Sequence, residues 1–195
     1  MGPILVPDAR EVPGDTPAPD WHEDVSLRDG TRATIRPIRS DDAPRLQALF
    51  GRLSPESVYL RFLACKKALS DKQAQDLATV DYQMQMALVA ILGQDGGEHI
   101  IGVARYSVIQ DESLELAEPA IVVEDRYQGL GLGMLLFERL VVYARRHGIC
   151  AFLGYVNHGN TKVMRLMRGV GLPIKTSLAV SGVWEVHMEL ELEAG

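Results

Sequence analysis

The chain has 195 residues, 47% hydrophobic and 24% charged, the balance of a globular domain long enough to bury a core. Twenty Lys+Arg against 26 Asp+Glu give a net charge of -6, which excludes the basic footprint of a nucleic-acid-binding domain. Cys65 and Cys150 form no CxxC or Cys/His cluster, no apolar run approaches the roughly 18 residues of a membrane span, and the opening carries prolines and acids instead of a signal peptide. A cytoplasmic protein with no metal, nucleic-acid or membrane partner is expected.

Residues 1–24 hold Pro3, Pro7, Pro13, Pro17 and Pro19 among acids and read as an extended tail or linker, so the folded domain is expected over 25–195. Thr31–Ile38 alternates small or apolar Thr31, Ala33 and Ile35 with Arg32 and Arg36, the period of a strand. Ser40-Asp41-Asp42 supplies caps for a helix to about Phe50. Ser54-Pro55-Glu56 opens a second helix, and Ser70-Asp71 a third that runs to about Val80. Three apolar runs follow, Met86–Leu92, Ile100–Ile109 and Leu114–Val123, the first two split by the turn residues Gln94-Asp95-Gly96-Gly97. They predict successive antiparallel strands.

Met134–His147 carries Leu135, Leu136, Leu140, Val141 and Ala144 on one helical stripe and stops at Gly148. Cys150–Val156 predicts a buried strand, and Asn160 to about Arg168 a short helix with Met164 and Met167 inward. Two strands, Lys175–Val180 and Val183–Glu191, turn at Ser181-Gly182. The order is that of an α/β (α+β) domain built on a mixed, mostly antiparallel sheet of about seven strands flanked by helices.

One segment carries chemistry. Val122–Gly133 runs from a strand through Gly129, Gly131 and Gly133 into a long amphipathic helix. Glycines there let backbone N–H groups crowd round an anion, and the helix N-terminus adds partial positive charge, so the turn could cradle a phosphate or could be a tight turn alone. The dinucleotide pattern G-x-G-x-x-G fails at Met134 and Leu136, and no GK[ST] follows.

Gln128-Gly129-Leu130-Gly131-Leu132-Gly133 resembles the Q/R-x-x-G-x-G/A pyrophosphate loop of the GNAT superfamily of acyl-CoA-dependent N-acetyltransferases. The preceding Ala120-Ile121-Val122-Val123 and the later Asn160 agree with it. The segments Leu53–Phe62, Val80-Asp81-Tyr82 and Met86–Ala90 resemble, more closely, the catalytic domain of bacterial Pat-type protein lysine acetyltransferases, which act on other proteins, notably acyl-CoA synthetases. The resemblance implies the GNAT fold, with splayed strands at the cofactor site and acetyl-CoA as cosubstrate. It further implies transfer to the ε-amine of a protein lysine by direct attack in a ternary complex.

By that resemblance the backbone of Ile121, Val122 and Val123 would grip the pantetheine arm, and the amides of Gln128, Gly129, Leu130, Gly131, Leu132, Gly133 and Met134 would take the pyrophosphate. Asn160 could bond the pantetheine or cap its own helix. Glu118 stands where Pat-type domains carry the general base; set between Leu116 and Ile121, it would gain basicity by desolvation, or would face solvent on a half-exposed strand. Glu115 is the reserve. Pro119, lacking an N–H, is expected to break the strand ladder or sit at a bulge. Many family members protonate the leaving thiolate from a tyrosine at the position held here by Met167. Tyr59, Arg61, Asp81 and Tyr82 lie in the segment that walls the acceptor groove, although Asp81 could equally cap a turn. Two rival functions stay open: acetylation of a small-molecule amine on the same fold, and a non-catalytic acyl-CoA-binding module.

Overall fold

The computed structural model describes residues 21–94, 97–109, 116–180 and 182–190. Eight strands form one sheet in the order β1-β2-β3-β4-β5-β6-β8-β7. Their ranges are β1 Glu23–Ser26, β2 Arg32–Pro37, β3 Gln85–Gln94, β4 Gly97–Ile109, β5 Leu116–Val123, β6 Ala151–Asn157, β7 Ile174–Val180 and β8 Val183–Glu189. Strand β1, which no periodicity announced, contains Glu23 and Asp24, two acids counted above with the tail. Arg139 binds Glu23 through two hydrogen bonds of 3.1 and 2.8 Å and ties this edge to the core.

Five helices cover the sheet: α1 Ala43–Arg52, α2 Pro55–Phe62 and α3 Asp71–Ala78 on one face, α4 Leu132–Arg146 and α5 Thr161–Gly169 on the other. Their starts follow local chemistry. Ser54 accepts from the Ser57 N–H with Pro55 at the first turn of α2, and Ser70 and Gln73 exchange the two bonds of a capping box on α3. Strand β3 is apolar at nearly every position because both faces are covered. Met86, Leu88 and Ala90 join the core beneath α4, while Ala87, Val89 and Ile91 join the core beneath α1–α3. On α4, Leu132, Leu136, Leu140 and Val141 are fully buried. Each such side chain contributes about 1.5–3 kcal/mol relative to exposure.

The junction of β5 with β6 positions everything that follows. These parallel strands pair only at Leu116–Ala151 and Ala117–Phe152, then part. The next inward position would set Pro119 beside Gly154, where a Cβ on the glycine would stand 3.7 Å from the proline Cδ. The proline ring thus rests against β6 at the point of separation and has no N–H to offer it. On its other side β5 keeps an unbroken register with β4 from Gly102–Val123 to Ile109–Leu116, so the ladder break expected at Pro119 falls on the β6 side alone and no bulge forms toward β4. The Glu124 N–H donates to Ile101 O at 2.9 Å. Alternation then directs the main-chain groups of Val122, Ala120 and Glu118 toward β4, and those of Val123, Ile121 and Pro119 into the gap. The missing proline N–H falls on the side where no partner is required.

Candidate active site

The gap opens into a cleft of about 490 Å³ between β5, the loop after it, α2 and α5. Of the residues singled out from sequence, Arg61, Ile121, Val122, Val123, Gln128, Gly129, Gly131, Gly133, Met134 and Asn160 line it. The loop enters α4 through Gly129 at φ 77° and Gly131 at φ 94°, left-handed conformations that glycine adopts without strain. Gly131 is the N-cap and offers no side-chain cap, so the first amides of α4 keep their hydrogen-bonding capacity for something else. Gly133 is needed for space: a Cβ there would lie 3.0 Å from Leu166 Cδ1 and 3.8 Å from Ile121 Cδ1, narrowing the cleft floor.

Leu130 and Leu132 do not line the cleft. Leu132 is wholly buried in the core, and the Leu130 carbonyl accepts the Arg28 N–H at 3.1 Å. Gln128 organises the loop through its side chain, which donates to Val123 O at 3.0 Å and to Ser57 Oγ at 3.1 Å while its Oε1 accepts from Lys162 Nζ at 2.9 Å. Asp125 adds a clasp from the same loop to α2, accepting from Ser54 N, Ser54 Oγ and Ser57 Oγ at 2.9, 2.7 and 2.8 Å. Burial raises the Asp125 pKa, but these bonds outweigh it and hold the carboxyl below its ordinary value.

Besides Arg61, the cleft gathers Arg28, Lys162 and Arg165, three positive charges not expected there, in a chain of net charge -6. Sequence reasoning missed them because Arg28 lies in a turn far from Lys162 and Arg165 on α5, and only the fold gathers them. The αL glycines, uncapped helix N-terminus, basic rim and open strand edge fit a pyrophosphate joined to an extended amide-bearing arm, as in coenzyme A.

Other expected residues sit elsewhere. Tyr59 points outward from α2, 42% exposed. Asp81 caps its turn, with Oδ1 accepting from the Gln83 and Gln85 N–H groups at 2.9 Å each. Burial pushes its pKa up, but backbone amides, those of Gln83, Gln85 and Met84 among them, hold it low. Tyr82 donates to Ile38 O at 2.7 Å and its carbonyl accepts from Tyr143, so it braces the core rather than the cleft. Asn160 caps α5 by accepting from Val163 N at 3.1 Å. Met167 is buried, and Glu115 lies outside the described residues.

Glu118 is exposed, which corrects the expectation of a desolvated carboxylate between Leu116 and Ile121: Ala117, Pro119 and Ile121 point to the opposite face of β5. Across the gap stands Tyr155 of β6, 50% exposed, donating to Glu185 at 3.3 Å. Its phenol pKa is raised by the charge of Glu185 first, with Glu118 a further contributor. No sequence pattern pointed to this tyrosine.

Comparison with known proteins accords with this geometry. The model of the acetyltransferase (GNAT) family matches residues 57–172, and the chain belongs to that family. An acetyltransferase of Pseudomonas aeruginosa is 39% identical over 66% of this chain and 67% of its own length. The acetyltransferase Pat of Mycolicibacterium smegmatis is 30% identical over 75% of this chain, which spans 43% of that relative. Among solved structures, the GNAT domain of Streptomyces lividans PAT superposes with a TM-score of 0.76 at 32% identity, covering 87% of this chain and 97% of that one. An acetyltransferase of Salmonella typhimurium, yncA, solved with its cofactor acetyl-CoA, shares the fold at a TM-score of 0.64 and 19% identity, over 84% and 96% of the two chains. The chain is therefore an acetyltransferase of the GNAT family. Among the described residues no helix is long and apolar enough to cross a membrane.

Proposed function

We propose that the protein transfers an acetyl group from acetyl-CoA to the ε-amine of lysines on another protein, of the acyl-CoA synthetase kind, within a ternary complex. The observation that carries the reading is the cleft itself, which runs from the uncapped N-terminus of α4 along the open edge of β5, with Glu118 three residues beyond Ile121 on that strand. Bound acetyl-CoA supplies the activated acyl thioester. The loop amides with Arg28, Lys162 and Arg165 hold the phosphates, and the main-chain groups of Ile121 and the Val123 N–H, which face the gap, fix the arm, so remote binding positions the reacting end.

A lysine amine is protonated near neutrality, with an ordinary pKa of about 10.4, and must lose its proton before it attacks. Glu118 is the carboxylate that takes it, directly or through one water. Its exposure favours a protein acceptor. Tyr155, Leu178 and Val180 are all exposed on the strands beyond it, and they offer a polypeptide surface apolar contacts beside the base. The resemblance of Leu53–Phe62 to Pat-type enzymes supports the same substrate class.

The test is release of coenzyme A thiol from acetyl-CoA with an acyl-CoA synthetase as acceptor, beside a panel of small amines. Turnover with the protein acceptor alone is expected; turnover with a small amine alone would transfer the function to that class. Glu118→Gln should leave coenzyme A affinity intact and lower kcat by about 10²–10⁴-fold, the range of a positioned base. An unaltered kcat would remove Glu118 from the reaction.

A further inference from the structure

Two arginines meet beside the base with no carboxylate in ion-pair contact among the described residues, Glu118 acting on Arg61 only at longer range. Arg61 comes from the last turn of α2, and Arg105 from the middle of β4, where it pairs with Ala120 of β5. Arg105 is 9% exposed, and donates only to neutral groups, Leu77 O at 3.2 Å and Gln85 Oε1 at 3.4 Å. The Arg61 guanidinium lies over the Phe62 ring at 4.8 Å. Among the described residues, neither has an acid within ion-pair distance. Arg36, the other buried arginine, shows the ordinary solution: Asp42 and Glu98 stand 2.7 and 2.8 Å from it.

Leaving the buried Arg105 guanidinium uncompensated costs several kcal/mol, and the half-buried Arg61 beside it adds repulsion. Burial, then the charge of Arg105, push the Arg61 pKa down to about 10, with Glu118 acting in the opposite sense. Both arginines border an apolar cavity of about 50 Å³, walled by Leu49, Phe50, Ala120 and Val122. Arg61 and Val122 also line the cofactor cleft, so cavity and cleft adjoin. Ala120 and Val122 share one face of β5 with Glu118 by two-residue alternation. The unbalanced charge is therefore concentrated where the acyl end of the cosubstrate and the incoming amine come together.

We propose that Arg61 and Arg105 form a carboxylate subsite, so that the preferred substrate brings the missing counter-charge next to the reacting centre. The apolar walls take a short aliphatic link and the guanidinium pair takes the carboxylate, a geometry suited to two-point hydrogen bonding. The carboxylate has two possible sources: the free end of a short dicarboxylic acyl thioester, or an acidic side chain adjoining the acceptor lysine. The location of the subsite rests on the acyltransferase reading above.

Titration calorimetry on the full chain tests this through binding. One arm compares succinyl-CoA with butyryl-CoA, which differ in a carboxylate for a methyl. The other compares two lysine peptides, differing in Glu or Gln beside the lysine, on protein saturated with coenzyme A. In one arm the carboxylate ligand should bind about tenfold more tightly, the effect of hydrogen bonds to a charged group, and that arm identifies the source. Arg105→Met should bring the ratio to one and Arg105→Lys should retain part of it. Arg61→Met provides the same reading should Arg105→Met fail to fold. Equal affinities in both arms, or a ratio that survives in the Met variants, would overturn the subsite. Absence of thiol release with every acceptor would instead remove the lysine-acetylation reading and leave these ratios unaffected.

Discussion

Replacing Gly131 by alanine isolates the contribution of loop conformation to cofactor binding. Gly131 has φ 94° and a Cβ there would find only Arg28 Nε and Cγ, at 3.7 and 3.9 Å, which is ordinary contact. The penalty is therefore conformational, about 1–2 kcal/mol for an L-residue held in the left-handed region. If the loop keeps its shape, that cost appears as lost stability, about 2–8 °C in Tm for a domain of this size. If the loop relaxes, the amides at the start of α4 turn away and coenzyme A affinity falls by about 5- to 30-fold, the same free energy expressed as binding.

Gly171 supplies the internal control, since it has φ 78°, open space around its Cβ position and no part in the cleft lining. Gly171→Ala should lower Tm by a comparable amount and leave coenzyme A affinity at the wild-type value. Thermal melts and titration calorimetry on the two variants decide the matter. Equal loss of affinity in both, or full affinity and full stability in Gly131→Ala, would refute the assignment of the loop amides to the phosphates.

Two further outcomes follow from the framework around the site. Asp42 is fully buried against Arg36 at 2.7 and 2.9 Å, and Asp42→Asn should cost about 1.5–3 kcal/mol in urea denaturation at pH 7 because it leaves the buried guanidinium with Glu98 as its one carboxylate partner. Burial raises the Asp42 pKa, but Arg36 and the Arg39 amide outweigh it, so the folded value lies below the ordinary 3.8. The unfolded chain then binds the proton first, the stabilisation is complete above about pH 4, and it is lost as pH falls through the folded value. A gap between wild type and variant that stays constant down to pH 3 would contradict this. Pro119→Val restores an N–H facing β6 and removes the ring resting on Gly154, so pairing should extend, the gap should narrow and coenzyme A affinity should fall. Unaltered affinity by calorimetry would mean that the proline does not hold the strands apart.

The order of elements was legible in the sequence wherever each had a local cause. Caps at Ser54 and Ser70, the apolar stripe of α4 and the alternation of β2 act within a few residues, and the fold retains them with small changes of boundary. Strand β1 escaped because four edge residues need only one inward side chain, Val25, and that gives no period to detect. The loop glycines were likewise legible, since left-handed φ values leave a compositional mark. The acceptor side was not. Asp81 and Tyr82 belong to a segment resembling a known groove wall, yet their hydrogen bonds go to Gln83, Gln85 and Ile38, partners that only the packed chain supplies.

The sequence by itself determined the class of protein, through the resemblance of Gln128–Gly133 and its flanking strand to the GNAT loop, and it determined the loop conformation, because backbone geometry at Gly129 and Gly131 depends on the residues in place. Tertiary structure alone decided which charges surround that site. Arg28, Lys162 and Arg165 converge on the cleft, Arg61 and Arg105 meet beside Glu118, and Tyr155 faces it across the gap. Electrostatics and burial act through space between residues far apart in the chain, so their effects cannot be read until the sheet has brought them together.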